Sequence, residues 1–345
     1  MDLLVIASEE LSMLSKLAGI ALKNKTNDKW HHVKLTCVDN RLTAHVFNGN
    51  ESASCTLLGE SDSGFLAALP AVVVQRFASS DDDLILKLDN GILSYKQGKA
   101  SGEIQTVDAD TIPDHKPVDM SDAAAFDGEQ IVKAFAVAAG CADSGAQARF
   151  ACQGAQLVLS SGELKVRATD GRKAVEFSID TDSDSEFQVI TPTHALGIVC
   201  SAGSRLVKIK SESPASVTFS SGDFVYTAVA LAGKFPDFSR VLVKPETGNQ
   251  IKCDSAEFLN AVDAVTWGDH SFVIHKDRLE SVDGTRECEA ELSDDFDQMT
   301  VAVDIIKPVI KPFSEFTAFD AGNGTLYFEL GKTEAVGMVA CIGGK

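Results

Sequence analysis

The side chains of this sequence that could do chemistry include seven histidines and eight cysteines, and their spacing matches no catalytic or metal site. The cysteines stand far apart, whereas zinc ligands commonly come in pairs a few residues apart. No G-x-S-x-G nucleophile elbow accompanies the serines. We therefore expect reduced thiols, no metal, no cofactor and no enzymatic activity. The cysteine positions are 37, 55, 141, 152, 200, 253, 288 and 341.

Two short segments carry the most specific patterns. In Arg167-Ala-Thr-Asp-Gly-Arg-Lys-Ala174, a predicted strand runs into an Asp-Gly turn and returns as a second strand. In Gly233-Lys-Phe-Pro-Asp-Phe-Ser-Arg-Val-Leu-Val243, Pro236 and Asp237 break the chain, and we expect two phenylalanines to anchor the resulting loop. Neither segment contains a nucleophile–base pair or a phosphate-binding glycine loop. Neither therefore predicts an active site.

Both segments resemble signatures of the bacterial DNA polymerase sliding clamp, the β subunit of the replicative polymerase. In that family an ATDGHRLA-like hairpin and a G-x-FPDY-x-RV-P loop recur at about this separation. The resemblance is strongest from about Phe126 to Pro245, includes Gly64-Phe-Leu-Ala-Ala-Leu-Pro70, and is loose in the tail from Ala335. It implies a DNA clamp fold of class α+β, with three similar domains of two helices and a sheet, and two chains in a six-domain ring.

The resemblance also implies a cleft that binds short peptides of the replicative polymerase, the clamp loader and other partners. Lys173 stands where the family usually has arginine, and Cys152 and Ala174 stand where it usually has larger wall residues. The cleft residues that it implies are Cys152, Thr169, Gly171, Arg172, Lys173, Ala174, Pro236, Arg240, Val241, Met338, Val339, Ala340, Cys341 and Ile342.

An internal repeat of about 120 residues agrees with three similar domains. A helix start recurs at Ser8, Asp127 and Asp254, each followed by an apolar stripe at helical spacing. A second helix is predicted to open near Pro70, near Pro192 and after Asp304, with the prolines in the first helical position. Alternating strands with Gly- and Asn-rich turns fill the intervals. We predict clamp domains over 1–118, 119–245 and 246–345.

Length and composition fit this organisation. A chain of 345 residues is too long for one ordinary core, and 44% hydrophobic with 23% charged residues is typical of a globular protein. No apolar run reaches the roughly 20 residues of a membrane helix, and the first residues lack the pattern of a secretory signal. We therefore expect a cytoplasmic protein without a membrane partner.

The net charge of −19 opposes a nucleic-acid partner on average, but the local field depends on where the charges lie. The acidic residues are bunched in predicted loops, whereas several lysines lie on predicted helices. We expect an acidic exterior and a basic inner surface that contacts the phosphates of encircled double-stranded DNA without reading its sequence. The predicted DNA-contacting residues are Lys16, Lys23, Lys25, Arg76, Lys133, Arg149, Phe150, Lys307 and Lys311.

A ring of two chains requires that the first domain of one chain meets the third domain of the other. We predict that Ile104, in an edge strand, and Val265 and Trp267, at the end of a helix, are its apolar anchors. The favoured function is a homodimeric sliding clamp, a processivity factor that tethers a polymerase. The alternatives are a clamp-like paralogue or phage-type clamp with other partners, and a small-molecule hydrolase or transferase, for which the sequence offers no convergent polar site.

Overall fold

The structure is a computed structural model, and it separates into two compact units. It describes residues 2–23, 27–89, 92–114, 118–145, 150–203, 205–246, 250–275, 277–289, 298–321, 324–332 and 334–342. Unit 1 comprises residues 1–125, 201–212 and 216–229, and unit 2 comprises residues 126–200, 213–215 and 230–345. The predicted division into three domains stays a prediction.

Antiparallel strands dominate both units. The strands are β1 (Asp2–Ile6), β2 (His32–Val38), β3 (Arg41–Phe47), β4 (Glu51–Glu60), β5 (Phe65–Pro70), β6 (Leu84–Asp89), β7 (Ile92–Gln97), β8 (Ala100–Ile104), β9 (Ala124–Asp127), β10 (Gly154–Ser160), β11 (Glu163–Thr169), β12 (Lys173–Asp180), β13 (Phe187–Pro192), β14 (Leu206–Ser213), β15 (Ser216–Ser221), β16 (Phe224–Val229), β17 (Gln250–Asp254), β18 (Ser271–Ile274), β19 (Arg278–Ser281), β20 (Glu287–Glu289), β21 (Met299–Ala302), β22 (Glu315–Asp320), β23 (Thr325–Leu330) and β24 (Ala335–Ala340).

Helices cover one face of the sheets. They are α1 (Leu11–Ala21), α2 (Ala71–Phe77), α3 (Gly128–Cys141), α4 (Thr193–Ala202), α5 (Phe238–Val241), α6 (Ser255–Thr266) and α7 (Val303–Ile310). In unit 1, α1 and α2 pack together over β2 to β5, and in unit 2, α3 packs on β10 to β12 while α6 and α7 pack against each other. The α+β class is confirmed, because the predicted apolar stripes of α1, α3 and α6 are buried on these sheets.

Sheet order places the two elements that form the candidate site side by side. The sheet of unit 1 runs β8-β7-β6-β1-β4-β16-β15-β14-β9, with β2, β3 and β5 attached through β4. In unit 2 one sheet runs β13-β10-β11-β12-β24-β23-β22-β17 and a smaller one runs β20-β19-β18-β21. The hairpin strand β12 and the last strand of the chain, β24, are therefore neighbours at the centre of the large sheet.

Two of the three predicted helix starts have the expected side-chain cap. Asp127 Oδ1 accepts the backbone N–H of Gln130 at 3.0 Å, and Asp254 Oδ1 accepts that of Glu257 at 2.9 Å. At Ser8 the prediction was wrong, because a 3₁₀ turn over Ser8–Glu10 comes first and α1 begins at Leu11 without a side-chain cap. The capping pattern thus located α3 and α6 to the residue and misplaced α1 by one turn.

We expect the substitutions Asp127→Ala and Asp254→Ala each to destabilise the first turn of its helix by about 1 kcal/mol, because an orphaned helical N–H loses its acceptor. Hydrogen exchange of the Gln130 and Glu257 amides should then become roughly fivefold faster. The exposed loop residue Asp182 serves as the control, because its replacement by alanine should leave both amides unchanged. Unchanged exchange in the cap variants would show that these caps contribute nothing.

The second helix of each third lies close to its predicted start, but the prolines play a different part. Pro70 and Pro192 end strands β5 and β13, and the helices begin one residue later. Pro70 has φ −56° and ψ 127°, an extended conformation, so its ring shapes the turn into α2 and is not the first helical residue. In the third copy, α7 begins at Val303, one residue before Asp304, and contains Pro308.

Within the described residues, no helix is long and apolar enough to cross a membrane. All eight cysteines are free thiols, and the described histidines, cysteines and carboxylates form no cluster that could hold a metal ion. Burial raises the pKa of Cys141 to about 12 and that of Cys55 to about 11, with smaller charge effects. These thiols are therefore uncharged and unreactive at neutral pH.

Candidate functional site

The Asp-Gly hairpin is a rigid turn between β11 and β12. Thr169 Oγ1 donates to Lys173 O at 2.7 Å and accepts the N–H of Gly171 at 3.0 Å, while Thr169 and Ala174 face each other across the strand pair. Gly171 has φ +89°, a conformation that favours glycine. The predicted hairpin is confirmed. Thr169 is 4% exposed, and its two hydrogen bonds stabilise the turn from the buried side.

A buried ion pair lies beneath this turn. Lys173 Nζ is 2.6 Å from Asp170 Oδ2, and both side chains are 9% exposed. Asp170 Oδ1 also accepts the backbone N–H groups of Arg172 and Lys173, each at 2.8 Å. Burial raises the pKa of Asp170, but the hydrogen bonds from Lys173 and the two backbone amides outweigh it and hold that pKa below its usual range.

The Asp170–Lys173 pair predicts a pH-dependent stability. We expect Lys173→Met to destabilise unit 2 by about 1–3 kcal/mol at neutral pH, because it leaves a buried carboxylate short of a partner. The folded pKa of Asp170 lies below the unfolded value of about 3.9, so its contribution is complete above that pH and is lost as the pH falls through the folded pKa. Urea unfolding should therefore separate wild type from Lys173→Met more widely at pH 7 than at pH 3. An equal difference at both pH values would contradict this assignment, and exposed Lys234→Met is the matched control.

The second segment packs against the hairpin through its aromatic residues. The rings of Phe235 and Phe238 lie 5.7 Å apart between centroids, and both side chains are buried. Asp237 Oδ1 accepts the N–H of Ser239 at 3.1 Å and caps α5, a single helical turn that the sequence had suggested to be loop. Hydrogen bonds from Ser239 lower the pKa of Asp237, so the cap is ionised at neutral pH. The predicted anchoring by the two phenylalanines is confirmed.

The hairpin and the second segment share one apolar cluster, which we call the cleft cluster. Its buried members are Ala151, Ala174, Ile190, Phe235 and Phe238, and its partly buried members are Leu231, Val241 and Leu242. The sequence analysis missed Ala151, Ile190, Leu231 and Leu242. The first three lie outside both motifs and join the cluster through tertiary packing, and Leu242 lies in the second motif, where its contacts depend on how that segment packs on the hairpin. Cys152, which it had predicted as a wall residue, is buried beside Ala151, and its carbonyl accepts the N–H of Asp143 at 2.9 Å.

The chain terminus completes the same surface. Met338 pairs with Ala174 and Val339 with Lys173 in the β12–β24 ladder, and the N–H of Ala340 donates to Arg172 O at 2.7 Å. Val339 is fully buried, whereas Met338, Ala340 and Cys341 are partly exposed. Ile342 is 51% exposed and its N–H donates to Thr300 O at 2.7 Å. The structure thus brings the tail to the hairpin, as the resemblance implied.

Charged side chains surround the cleft cluster. Arg172 lies 3.8 Å from Asp304 and Arg240 lies 3.4 Å from Asp237, and both arginines are well exposed. The Arg167 guanidinium lies 5.6 Å from the centre of the Phe238 ring, and Nε of Arg167 donates to Glu176 at 2.5 Å. Pro236 and Gly171 lie at the surface between these groups. An apolar floor with a polar rim can bind a short peptide with hydrophobic side chains.

Four of the predicted DNA-contacting residues, Lys16, Arg76, Lys133 and Lys307, are on helices, and several of the predicted residues have partners. Lys16 Nζ donates to Ser201 O at 2.8 Å, while Lys307 Nζ pairs with Asp263. Lys133 Nζ is 2.5 Å from Glu334 Oε2 and 4.7 Å from the centre of the Phe313 ring. Lys23, Arg76 and Lys311 are exposed, and Phe150 is 56% exposed. Lys25 and Arg149 lie outside the described residues.

Of the three predicted interface anchors, Trp267 alone presents its side chain to solvent. It is 81% exposed at the end of α6, where its φ is +29° and Gly268 follows with φ +98°. Val265 is fully buried in the core of unit 2 and Ile104 is 8% exposed, so Val265 was a wrong choice for a surface anchor. Its position in the stripe that α6 packs on the sheet explains the burial.

Ile104 nevertheless lines a groove in unit 1. This groove lies beside the edge strand β8 and has a volume of about 640 Å³. Val73, Phe77 and Tyr95 supply apolar walls, and Glu103 and Gln97 supply hydrogen-bond acceptors. We call it the β8 groove. Its size and mixed lining suit an aromatic side chain that carries a polar atom.

No protein-family model and no curated protein matches the chain. Solved structures, in contrast, match over its full length. A DnaN sliding clamp (DNA polymerase III subunit beta) from Pseudomonas aeruginosa bound to griselimycin is 16% identical, with a TM-score of 0.85 over 99% of both chains. The DNA polymerase sliding clamp from Bacillus subtilis is 14% identical, with a TM-score of 0.83 over 100% of both chains.

A third similar structure is the Helicobacter pylori beta clamp in complex with 3,4-difluorobenzamide. It is 15% identical and has a TM-score of 0.86 over 99% of this chain and 100% of that chain. Identity this low establishes the fold alone. The chain therefore has the fold of bacterial DNA polymerase sliding clamps from end to end, which confirms the predicted fold.

Proposed function

We propose that this chain is a DNA sliding clamp, a non-enzymatic processivity factor that encircles duplex DNA and tethers the replicative polymerase and other partners. The observation that carries the proposal is the cleft cluster, which joins the hairpin to α5 beside the last strand β24, in a chain with the sliding-clamp fold. We place the protein in the cytoplasm with the DNA, and propose a homodimer with no membrane partner.

The cleft is proposed to bind extended peptides from a polymerase, a clamp loader and other clamp-binding proteins. Val241, Leu242 and Met338 are partly exposed around buried Ala174. A peptide can therefore contact these apolar side chains without any part of the chain unfolding first. A small cleft gives micromolar affinity, because few buried contacts must offset the ordering of a flexible peptide. Attachment of the ring to DNA then raises the effective concentration of the partner, so weak binding still supports processive synthesis.

The ring is proposed to close by two identical head-to-tail contacts between two chains. Trp267 of each chain is the exposed knob, and the β8 groove of the other chain is the complementary site. The indole offers a large apolar surface and one N–H donor, and the groove offers apolar walls and the acceptor Glu103. This pairing supports a dimer whose stability depends strongly on one aromatic side chain.

DNA binding is proposed to be weak and independent of sequence. Helices carry cations at Lys16, Lys133 and Lys307, and Lys23 follows α1, but the charged residues of α6 are all acidic. Two of the four lysines already have carboxylate partners. Phosphates must compete with those carboxylates for the paired lysines. Each contact between a phosphate and a paired lysine therefore adds little to the free energy of DNA binding. We infer that topological enclosure, more than affinity, keeps the protein on DNA.

Replacing Lys16, Lys23, Lys133 and Lys307 together by alanine should weaken direct binding to duplex DNA at low salt. The slope of log K against log salt should become shallower by about 0.9 for each phosphate contact that is lost. The matched control replaces the exposed lysines 96, 99, 234 and 252, which lie outside the helices and change the net charge equally. Fluorescence anisotropy over a salt series measures the slope for both variants. Equal slopes for the two variants would contradict the assignment of the helical lysines.

The proposed function is tested by primer extension with the polymerase and clamp loader of the same genome. Addition of this chain should lengthen products made in a single binding event on circular primed template, and the Val241→Asp variant should not. Product lengths that are insensitive to the wild-type chain would overturn the proposal.

A further inference from the structure

The outer face of the sheet in unit 1 bears an apolar patch that the proposed function does not use. In β2 to β5, one set of residues, including Val33 and Leu35, faces α1 and α2 and is buried. The alternate residues point to the other face. There Val38 is 59% exposed, Leu58 is 65% exposed and Leu66 is 43% exposed. Aliphatic side chains this exposed on one face of one sheet mark an interaction surface.

Strand register brings these side chains together. Val38 pairs with Arg41 and Arg41 pairs with Leu58, so the three residues form one row across β2, β3 and β4. The adjacent row is Leu66, Thr36, Thr43 and Thr56 across β5, β2, β3 and β4. Adjacent rows on one face of a sheet lie roughly 7 Å apart along the strands, and neighbouring strands lie about 4.8 Å apart. We call Val38, Arg41, Leu58 and Leu66 the outer-face patch.

The next row on the same face shows how this chain covers such a surface. That row contains Ala68, Lys34 and His45, and residues 107–114 of the chain lie over it. Ala109 and Ile112 pack on Ala68, and Val107 forms a β-bridge to it. The covering segment, Val107-Asp-Ala-Asp-Thr-Ile-Pro-Asp114, alternates aliphatic and acidic side chains.

The charges of the covered row are matched by the covering segment. Asp114 Oδ1 lies 2.6 Å from Lys34 Nζ, and Pro113 O lies 2.9 Å from His45 Nε2. The ammonium of Lys34 holds the pKa of Asp114 below its usual range, mainly through their hydrogen bond. An extended acidic-aliphatic segment thus provides apolar contacts for Ala68, a carboxylate for Lys34 and a hydrogen-bond partner for His45.

The outer-face patch repeats that chemistry without a cover. It has one cation, Arg41, flanked by Val38 and Leu58, with Leu66 diagonal to Val38. The Arg41 side chain is exposed and makes no hydrogen bond or ion pair within the described part of the chain. Five N–H donors on a guanidinium fit a carboxylate in a two-point geometry. The patch is therefore complementary to the same kind of segment that covers the neighbouring row.

We propose that the outer-face patch binds an extended segment of a partner protein, in which aliphatic side chains contact Val38, Leu58 and Leu66 and a carboxylate pairs with Arg41. The segment lies beside residues 107–114 and crosses the strands as they do. This site is separate from the cleft cluster, which belongs to unit 2. A clamp with this second site holds a partner at two points, and two weak contacts on one linker reinforce each other.

The test uses phage-displayed random twelve-residue peptides selected on the full chain with Val241→Asp, so that the cleft of the proposed function cannot contribute. Enriched peptides should combine aliphatic residues with aspartate or glutamate. A synthetic enriched peptide should bind Arg41→Glu and Leu58→Glu at least tenfold more weakly. Replacing the peptide's carboxylate by lysine should restore binding to Arg41→Glu, an outcome that general destabilisation cannot produce.

Ile92→Glu is the matched control, because Ile92 is an aliphatic residue of the same unit with 56% exposure and lies outside the patch. Circular dichroism should show that all three variants keep the fold, since each change is at an exposed side chain. The proposal is overturned if no peptide is enriched, or if enriched peptides bind the Arg41, Leu58 and Ile92 variants equally. Neither result would bear on the cleft, which the selection excludes.

Discussion

Val241→Asp is expected to lower the affinity for a clamp-binding peptide by at least a hundredfold. Val241 is partly buried against Ala174, Phe235 and Phe238 in the cleft cluster. An aspartate there places a carboxylate where a hydrophobic peptide side chain must pack, and burying an unpaired charge costs several kcal/mol. Isothermal titration with hydrophobic peptides from the polymerase and clamp loader of the same genome measures the loss.

Two further variants separate a cleft effect from unfolding. Ile342→Asp changes an exposed residue that is predicted to line the cleft and should also weaken binding of the peptide, whereas Val282→Asp changes a valine with 56% exposure elsewhere in unit 2. Truncation at Met338 is a poor test, because residues 338–340 belong to β24 and pair with both β12 and β23. If the Val241 and Ile342 variants bind as tightly as wild type, the peptide site lies elsewhere.

Trp267→Ala is expected to convert the proposed dimer to monomer at micromolar concentration. Truncation of a central aromatic anchor costs about 2–4 kcal/mol. A two-chain ring contains this contact twice, so the change acts on both contacts at once. The Trp267 side chain is 81% exposed, so its removal takes little packing away from the core of the chain itself. The variant should therefore fold normally, and sedimentation equilibrium should give the 36.7 kDa mass of one chain.

A substitution in the β8 groove tests the same contact independently. Ala100 is exposed and lines the β8 groove, so Ala100→Phe should fill the groove from within its own chain and also give monomer. Phe150→Ala removes another aromatic side chain, 56% exposed, and should leave the dimer intact. A wild-type monomer, or dimers in both the Trp267 and Ala100 variants, would show that the ring contact lies elsewhere.

Local patterns predicted much of the fold. The Asp-Gly hairpin, the caps Asp127 and Asp254 and the apolar stripes of three helices depend on residues close in sequence, whose backbone preferences act over one turn. The patterns failed where tertiary packing decides. Val265 could be assigned to a helix, but its burial depends on which face of α6 meets the sheet. Serine is a residue type that commonly caps helices, yet a 3₁₀ turn at Ser8 displaces the start of α1 to Leu11.

The candidate site also contains residues that local motifs predicted and residues that only the folded structure identifies. The motifs located Thr169, Ala174 and Val241, because these lie within two short segments. Ala151, Ile190 and Leu231 lie outside both segments and completed the cleft cluster only through tertiary packing. The pairing of β12 with β24, more than 150 residues apart in the chain, likewise has no local signal. The ion pairs of Lys133 and Lys307 also depend on neighbouring helices and strands, and they show that cations on a helix need not be free for phosphate.

The central claim is that two chains form a ring around DNA, and retention on circular DNA tests it most directly. The chain is mixed with nicked circular plasmid at a concentration at which the dimer dissociates, concentrated so that rings close around DNA, and passed over a sizing column at a salt concentration that abolishes direct binding. The protein should then elute with the circular plasmid and separate from it after a restriction enzyme makes the plasmid linear. Equal retention on circular and linear DNA, or none on either, would contradict the ring.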